Sequence, residues 1–242
     1  MSAALLQVDA LSKRFGGFTA LADVSFDVSN GQRLGIIGPN GSGKTTLINC
    51  ICGALRHDSG SVRLNGTDIG RLPTYRRTRL GVARSFQIPR PFHSMSVAQN
   101  VAVALEYGAG LRWTQAATTQ AQSLAVLERM GLAEKAEAPI ASLTQVDLRR
   151  LELARALATQ PRLLILDEVM AGLSSAEVDA MLEVIAGLNR DGITIIMIEH
   201  IMRAIMGFSA RVICLDAGGI VADGDPSSVI NSATVQRIYL GG

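Results

Sequence analysis

Gly38-Pro39-Asn40-Gly41-Ser42-Gly43-Lys44-Thr45 fits the spacing G-x-x-x-x-G-K-[ST]. The apolar run Leu34 to Ile37 before it reads as a buried strand, and Thr46, Leu47, Ile48 and Ile51 after it open a helical pattern. Strand, glycine loop and helix together are the context in which this spacing has chemical meaning. Glycines let backbone N–H groups wrap phosphate oxygens without Cβ clashes, and the helix N-terminus adds its dipole. Lys44 offers a cation to terminal phosphates, and the Thr45 hydroxyl a ligand to Mg2+. The expected ligand is therefore a nucleoside triphosphate.

The rest of the chain bounds what that loop can belong to. Its 242 residues suffice for a sizeable core, and a composition 48% hydrophobic argues against disorder. Net charge is +2 with no polybasic run, and aromatics are only 4%, so nucleic acid is not expected as a partner. Cys50, Cys52 and Cys214 form no C-x-x-C pair and read as reduced, buried thiols, the first two on the helix after the loop. Met1 to Leu11 lacks a signal-peptide pattern, and the apolar runs are interrupted by Asp167, Glu168, Glu199 and His200. Work at a membrane would need a partner that holds the chain there.

Alternation at residues 5–9 and 22–28 predicts strands of a half-buried antiparallel sheet, with a turn at Asn30-Gly31. Ser61 to Leu64 reads as a further strand, closed by the hairpin dipeptide Asn65-Gly66. From about residue 95 to 157, an Ala-, Leu- and Gln-rich stretch with helical periodicity predicts a separate helical lobe. Leu163 to Leu166 and Thr194 to Ile198 read as buried parallel strands joined by a helix over Ser174 to Leu188. Val212 to Leu215 and Gly219 to Ala222 form a closing pair of strands, and Val229 to Leu240 reads as a helix. Alternating strands and helices predict an α/β core with a parallel sheet.

Two further spots carry chemistry. Asp167-Glu168 ends an apolar strand, where an acid can hold Mg2+ through water and an adjacent Glu can polarise an attacking water. Glu199-His200 ends the third buried strand, at the sheet edge expected to face nucleotide.

Together these residues resemble the ATP-binding subunit of an ABC transporter, over essentially the whole chain. The resemblance implies ATP and Mg2+ as cofactors and a fold class of α/β: a P-loop NTPase (RecA-like) core, 1–87 and 158–242, with an antiparallel β subdomain and a helical subdomain at about 88–157. It makes Gly38 to Thr46 the nucleotide loop and Phe15, in Arg14-Phe15-Gly16-Gly17, the aromatic that stacks on adenine. Gln87, in Phe86-Gln87, resembles the Q-loop glutamine that reaches Mg2+ and the attacking water. Asp167 and Glu168 match Walker B and the catalytic Glu, Ala171 to Ser174 the D-loop, and His200 the switch His. Phe15-Gly16-Gly17, Ala83 to Gln87, Ile198-Glu199-His200 and the ending Tyr239-Leu240-Gly241 are similar to the LivG-type, branched-chain amino-acid uptake branch. That branch implies a second, LivF-type ATPase, two transmembrane permease subunits and a periplasmic or extracellular solute-binding protein. It also implies a place on the cytoplasmic face of the inner membrane, with residues after Gln87, including Ile88 to Met95, against a permease coupling helix. Lipopolysaccharide-export ATPases share the Tyr-Leu-Gly ending, so a lipid exporter stays open as an alternative, as does a non-transport ABC ATPase.

The sequence departs from the family at its signature, Leu-Ser-Gly-Gly-Gln. The aligned segment is Leu143-Thr144-Gln145-Val146-Asp147, without either glycine. Thr144-x-x-Asp147 resembles a capping box, so the helix start is expected to survive. Positive φ at Gln145 or Val146 would cost roughly 1–3 kcal/mol, and Asp147 would set negative charge near a polyanion. Val169 stands where the family usually has Pro. The expectation is a heterodimer: a complete half-site on this chain, and a signature that completes the partner's site poorly.

Overall fold

Period-two alternation along the central strands divides the protein into two hydrophobic cores. In chain order the elements are β1 (Ala4–Phe15), β2 (Phe18–Ser29), β3 (Arg33–Ile37), α1 (Lys44–Cys52), β4 (Ser59–Leu64), β5 (Thr67–Asp68), α2 (Thr74–Arg79) and β6 (Val82–Arg84). Then follow α3 (Val97–Gly108), α4 (Ala116–Arg129), α5 (Gln145–Ala158), β7 (Leu163–Asp167), α6 (Ser175–Arg190) and β8 (Thr194–Ile198). The chain closes with α7 (Met202–Phe208), β9 (Arg211–Asp216), β10 (Gly219–Gly224), α8 (Pro226–Ile230) and α9 (Ala233–Leu240). The computed structural model describes residues 4–86, 89–108 and 116–240.

Among the described residues there are two sheets, a four-stranded one ordered β2-β1-β4-β5 and a six-stranded one ordered β10-β9-β3-β8-β7-β6. The first is antiparallel throughout. In the second, β9, β3, β8, β7 and β6 run parallel and β10 pairs antiparallel at the edge. On β7, Leu163 and Ile165 join the core facing the antiparallel sheet and α1, while Leu164 and Leu166 join the core facing the helices. Ile196 and Ile198 on β8 divide from Ile195 and Met197 in the same way. A strand buried on both faces has no polar side to alternate with, which is why these runs read as continuously apolar.

Most expected elements are present. Asn65 (φ 48) and Gly66 (φ 75) make the turn joining β4 to β5, both left-handed as a two-residue hairpin requires. Val97, Val101 and Leu105 line the buried stripe of α3 at helical spacing. The helix expected over Val229 to Leu240 is instead two. Asp225 caps α8, with Pro226 at its first turn, and Asn231 ends it. The Ser232 hydroxyl then accepts from Val235 N–H, starting α9 afresh. Three elements had not been read from the sequence: α2, β6 and α7.

Candidate functional site

The glycine loop leaves β3 at Gly38 and enters α1 at Lys44. Gly43 stands at the helix N-cap with φ 105, so the helix takes no side-chain cap and its first N–H groups point into the loop. A Cβ on Gly43 would sit 2.6 Å from Ala20 O, which fixes glycine there on space as well as on backbone angle. The buried Lys44 ammonium donates to Gly38 O at 2.7 Å and to Pro39 O at 2.9 Å. Burial lowers its pKa, against the opposing pull of Glu168 and Asp167. The buried Ser42 hydroxyl oxygen has no hydrogen-bond partner among the described residues.

The far end of α1 is held by a residue the sequence reading passed over. The Arg77 guanidinium, 2% exposed, donates to Cys50 O, Ile51 O, Gly70 O and Leu72 O. It thus satisfies helix-end carbonyls that otherwise lack partners. Cys50, Cys52 and Cys214 are free and buried, and burial pushes each thiol up to about 11.

Asp167 ends β7, and Glu168 follows in a left-handed conformation (φ 50). A non-glycine residue held there stores strain of order 1–3 kcal/mol. The turn aims Glu168 at His200, whose Nε2 lies 2.6 Å from Glu168 Oε1. One cavity of about 250 Å³ is lined by Phe15, Phe18, the loop from Asn40 to Thr46, and Glu168. Phe15 is exposed at its rim. Gln87 lies outside the described residues.

Asp167 is not alone. Arg84, on the short β6, donates from one guanidinium nitrogen to Asp167 Oδ2 at 2.6 Å and from another to Asn49 Oδ1 at 2.6 Å. It therefore ties the carboxylate to α1. Glu199, 2% exposed, accepts from Met170 N–H at 3.0 Å and so anchors the turn that follows Glu168. Burial lifts its pKa to about 7, with Glu168 adding to the rise. Arg84, Asn49 and Arg77 could not be found from local pattern, because each acts across the fold.

Among the described residues no three His, Cys, Asp or Glu side chains form a metal cage. The Thr45 hydroxyl and the Asp167 carboxylate are hard oxygen donors, a sparse set that suits Mg2+ carried in with phosphates.

The segment Leu143 to Asp147 is built differently. Thr144 is the N-cap of α5, its hydroxyl oxygen accepting from Asp147 N–H and Asp147 Oδ2 accepting from Thr144 N–H: a complete capping box. Gln145 and Val146 are helical and neither has positive φ, so the backbone strain that was conditional on it is absent. The charge expected to stand against a polyanion is paired: Lys135 Nζ donates to Asp147 Oδ2 at 2.6 Å. Burial pushes the Asp147 pKa up, but hydrogen bonds from Lys135 and Thr144 outweigh it and hold it below its ordinary 3.8. A Cβ on Gly172 (φ 81) would meet Gln145 Nε2 at 2.9 Å, so the signature segment and the turn after Glu168 touch within this chain.

A second, more apolar cavity of about 240 Å³ opens beside Arg84 and is lined by Phe86, Ala104, Arg155 and Thr78. The irregular stretch from Pro89 to Phe92 is held rather than loose. The buried Asn100 side chain accepts from Phe92 N–H and donates to Phe92 O, and Arg155 donates to Arg90 O. Among the described residues no helix is long and apolar enough to cross a membrane.

The family profile described as ABC transporter matches residues 21–171. The high-affinity branched-chain amino acid transport ATP-binding protein LivG of Salmonella typhimurium is 41% identical, covering 100% of this chain and 99% of its own. BraF of Pseudomonas aeruginosa, with the same description, is 37% identical over 100% of this chain and 99% of its own. The ADP conformation of an ATP-binding cassette of an ABC transporter superposes with a TM-score of 0.90 at 28% identity, covering 100% of both chains. A phosphate loop facing a Glu–His pair, a profile spanning more than half of the chain and relatives matched end to end lead to one conclusion: the chain belongs to the ABC transporter family, as an ATP-binding cassette.

Proposed function

We propose that this chain hydrolyses ATP to drive uptake of branched-chain amino acids, or a related small polar solute, through a membrane permease. The observation that carries the reading is one cavity lined by the phosphate loop and by Glu168, whose carboxylate in turn pairs with His200. Phe15 offers its exposed ring to adenine. Loop N–H groups and Lys44 take the phosphates, Lys44 giving up the carbonyls of Gly38 and Pro39 to do so. Glu168 accepts a proton from the attacking water, and His200 orients the Glu168 carboxylate. Thr45 and Asp167, with Gln87, would hold Mg2+, which would supply positive charge against the phosphates. Arg84 keeps the Asp167 carboxylate aimed while leaving its second oxygen outside that ion pair.

The solute class is supported by the relatives, matched over their full length and described as branched-chain amino acid transport proteins. We assign the Phe86 groove, with the loop to Met95, to a permease coupling segment at the cytoplasmic face of the inner membrane. We likewise assign 88–157 as the helical lobe, with 1–87 and 158–242 as the core. The locally closed signature favours a different, LivF-type ATPase as the partner. The test is uptake by proteoliposomes holding the permease, both ATPases and the solute-binding protein. ATP-dependent leucine uptake that Lys44→Ala abolishes is the expected result. A complex that hydrolyses ATP yet moves no branched-chain solute would overturn the solute assignment.

A further inference from the structure

Tyr239 has no part in the site as described so far. Tyr239 lies in the last turn of α9, a helix anchored in the helical-side core by the buried Val235. Its hydroxyl oxygen accepts a 2.7 Å hydrogen bond from Gly38 N–H, the first residue of the phosphate loop and 201 positions away. Partial burial raises the phenol pKa above its ordinary 10.0, so the group stays a neutral hydroxyl at physiological pH.

Gly38 has few other means of being held. Its φ is 150, and a Cβ there would lie 2.2 Å from Leu215 O and 2.7 Å from Ser42 Oγ. No side chain at position 38 can fix the loop entry, so the peptide groups must. Gly38 O accepts from Lys44 Nζ, and Gly38 N–H donates to Tyr239. The middle of the loop is also gripped from the C-terminal part of the chain. Gly218, in the turn between β9 and β10, donates to Ser42 O at 3.1 Å. These two bonds hold the successive peptide groups on either side of the Gly38 Cα, so if Lys44 turned to phosphate the bond to Tyr239 would remain as a hold on the loop entry.

We propose that Tyr239 is a positioning residue for the phosphate loop, its hydroxyl fixing the Gly38 peptide while Lys44 exchanges carbonyl oxygens for phosphate. This rests on the nucleotide-binding reading of the loop. It makes α9 a handle on ATP affinity.

The test compares Tyr239→Phe with the parent, full-length, by titration with a fluorescent ATP analogue and by thermal melting without nucleotide. Losing one hydrogen bond, about a three- to tenfold rise in Kd is expected, with Tm falling by about 2–4 °C. In the assembled transporter, KM for ATP rises by the same factor while kcat stays within about twofold. Unchanged Kd overturns the inference, whatever happens to Tm. A lower Tm with a proportionate loss of binding-competent protein, but parental Kd in the folded fraction, overturns it too, assigning the hydroxyl to folding alone. Lys44→Ala, measured beside it, separates the two readings. If Lys44→Ala binds like the parent, the nucleotide assignment fails. If it loses binding and Tyr239→Phe does not, only the role of Tyr239 fails.

Discussion

The phosphate loop, Gly38 to Thr45, and the signature segment, Leu143 to Asp147, both open helices, and they are stabilised in opposite ways. The loop has no side-chain cap and leaves its helix N–H groups for a ligand. Its shape is imposed from afar, by Tyr239 at its entry, Gly218 at its middle and Arg77 at the far end of α1. The signature segment closes on itself: Thr144 and Asp147 satisfy each other's backbone, and Lys135 pairs the charge. A helix start that offers donors to a ligand must borrow its stability from elsewhere, while one that caps itself has less to offer.

Breaking the loop's side of this contrast has the largest expected effect. Lys44→Ala removes the buried cation and should cut ATP turnover by a factor of at least about 10². Glu168→Gln should cost about 10²–10⁴ in turnover of the complex, as loss of a general base does. The matching change in the partner ATPase should cost far less, and equal losses in the two would break the comparison. Arg77→Ala leaves several carbonyls of α1 and its neighbours unpaired. Stability should fall by about 3 kcal/mol in denaturant unfolding, and ATP affinity should fall with it.

Smaller effects sharpen the contrast. Glu199 has its pKa raised from 4.5 to about 7, so between those values the folded state binds more protons than the unfolded and stability falls as pH rises. Glu199→Gln removes this slope. Relative to the parent it should gain about 1–3 kcal/mol between pH 5 and pH 8, read from urea midpoints. Asp147 is shifted the other way, below 3.8, so its contribution is present at neutral pH and lost on acidification through the folded value. Asp147→Ala should cost about 1 kcal/mol at pH 7 and progressively less on acidification. If it raised turnover in the complex, the signature would be limited by charge, despite Lys135, rather than by the missing glycines.

What could be read in advance follows the same division. Thr144-x-x-Asp147 was legible as a cap because both partners lie within one turn. β7 and β8 were legible because burial on both faces leaves an uninterrupted apolar run. β6 was not, because three residues carry no period and only pairing with β7 makes them a strand. α2 was not, because Thr74 to Arg79 is polar apart from Tyr75, and its buried member is an arginine. The break between α8 and α9 was written in Asp225-Pro226 and Asn231-Ser232, but the apolar spacing across it masked the caps.

The sequence by itself determined the phosphate loop, the strands around it and the residue types at the catalytic edge, since backbone angles and burial periods are local properties. Tertiary structure alone decided which of those residues meet. Glu168 reaches His200, Arg84 holds Asp167, and Tyr239 holds Gly38 only because parallel strands and a returning C-terminal helix bring distant positions to one edge of the sheet. Contacts of that separation leave no period in the chain, and the geometry of the site consists of them.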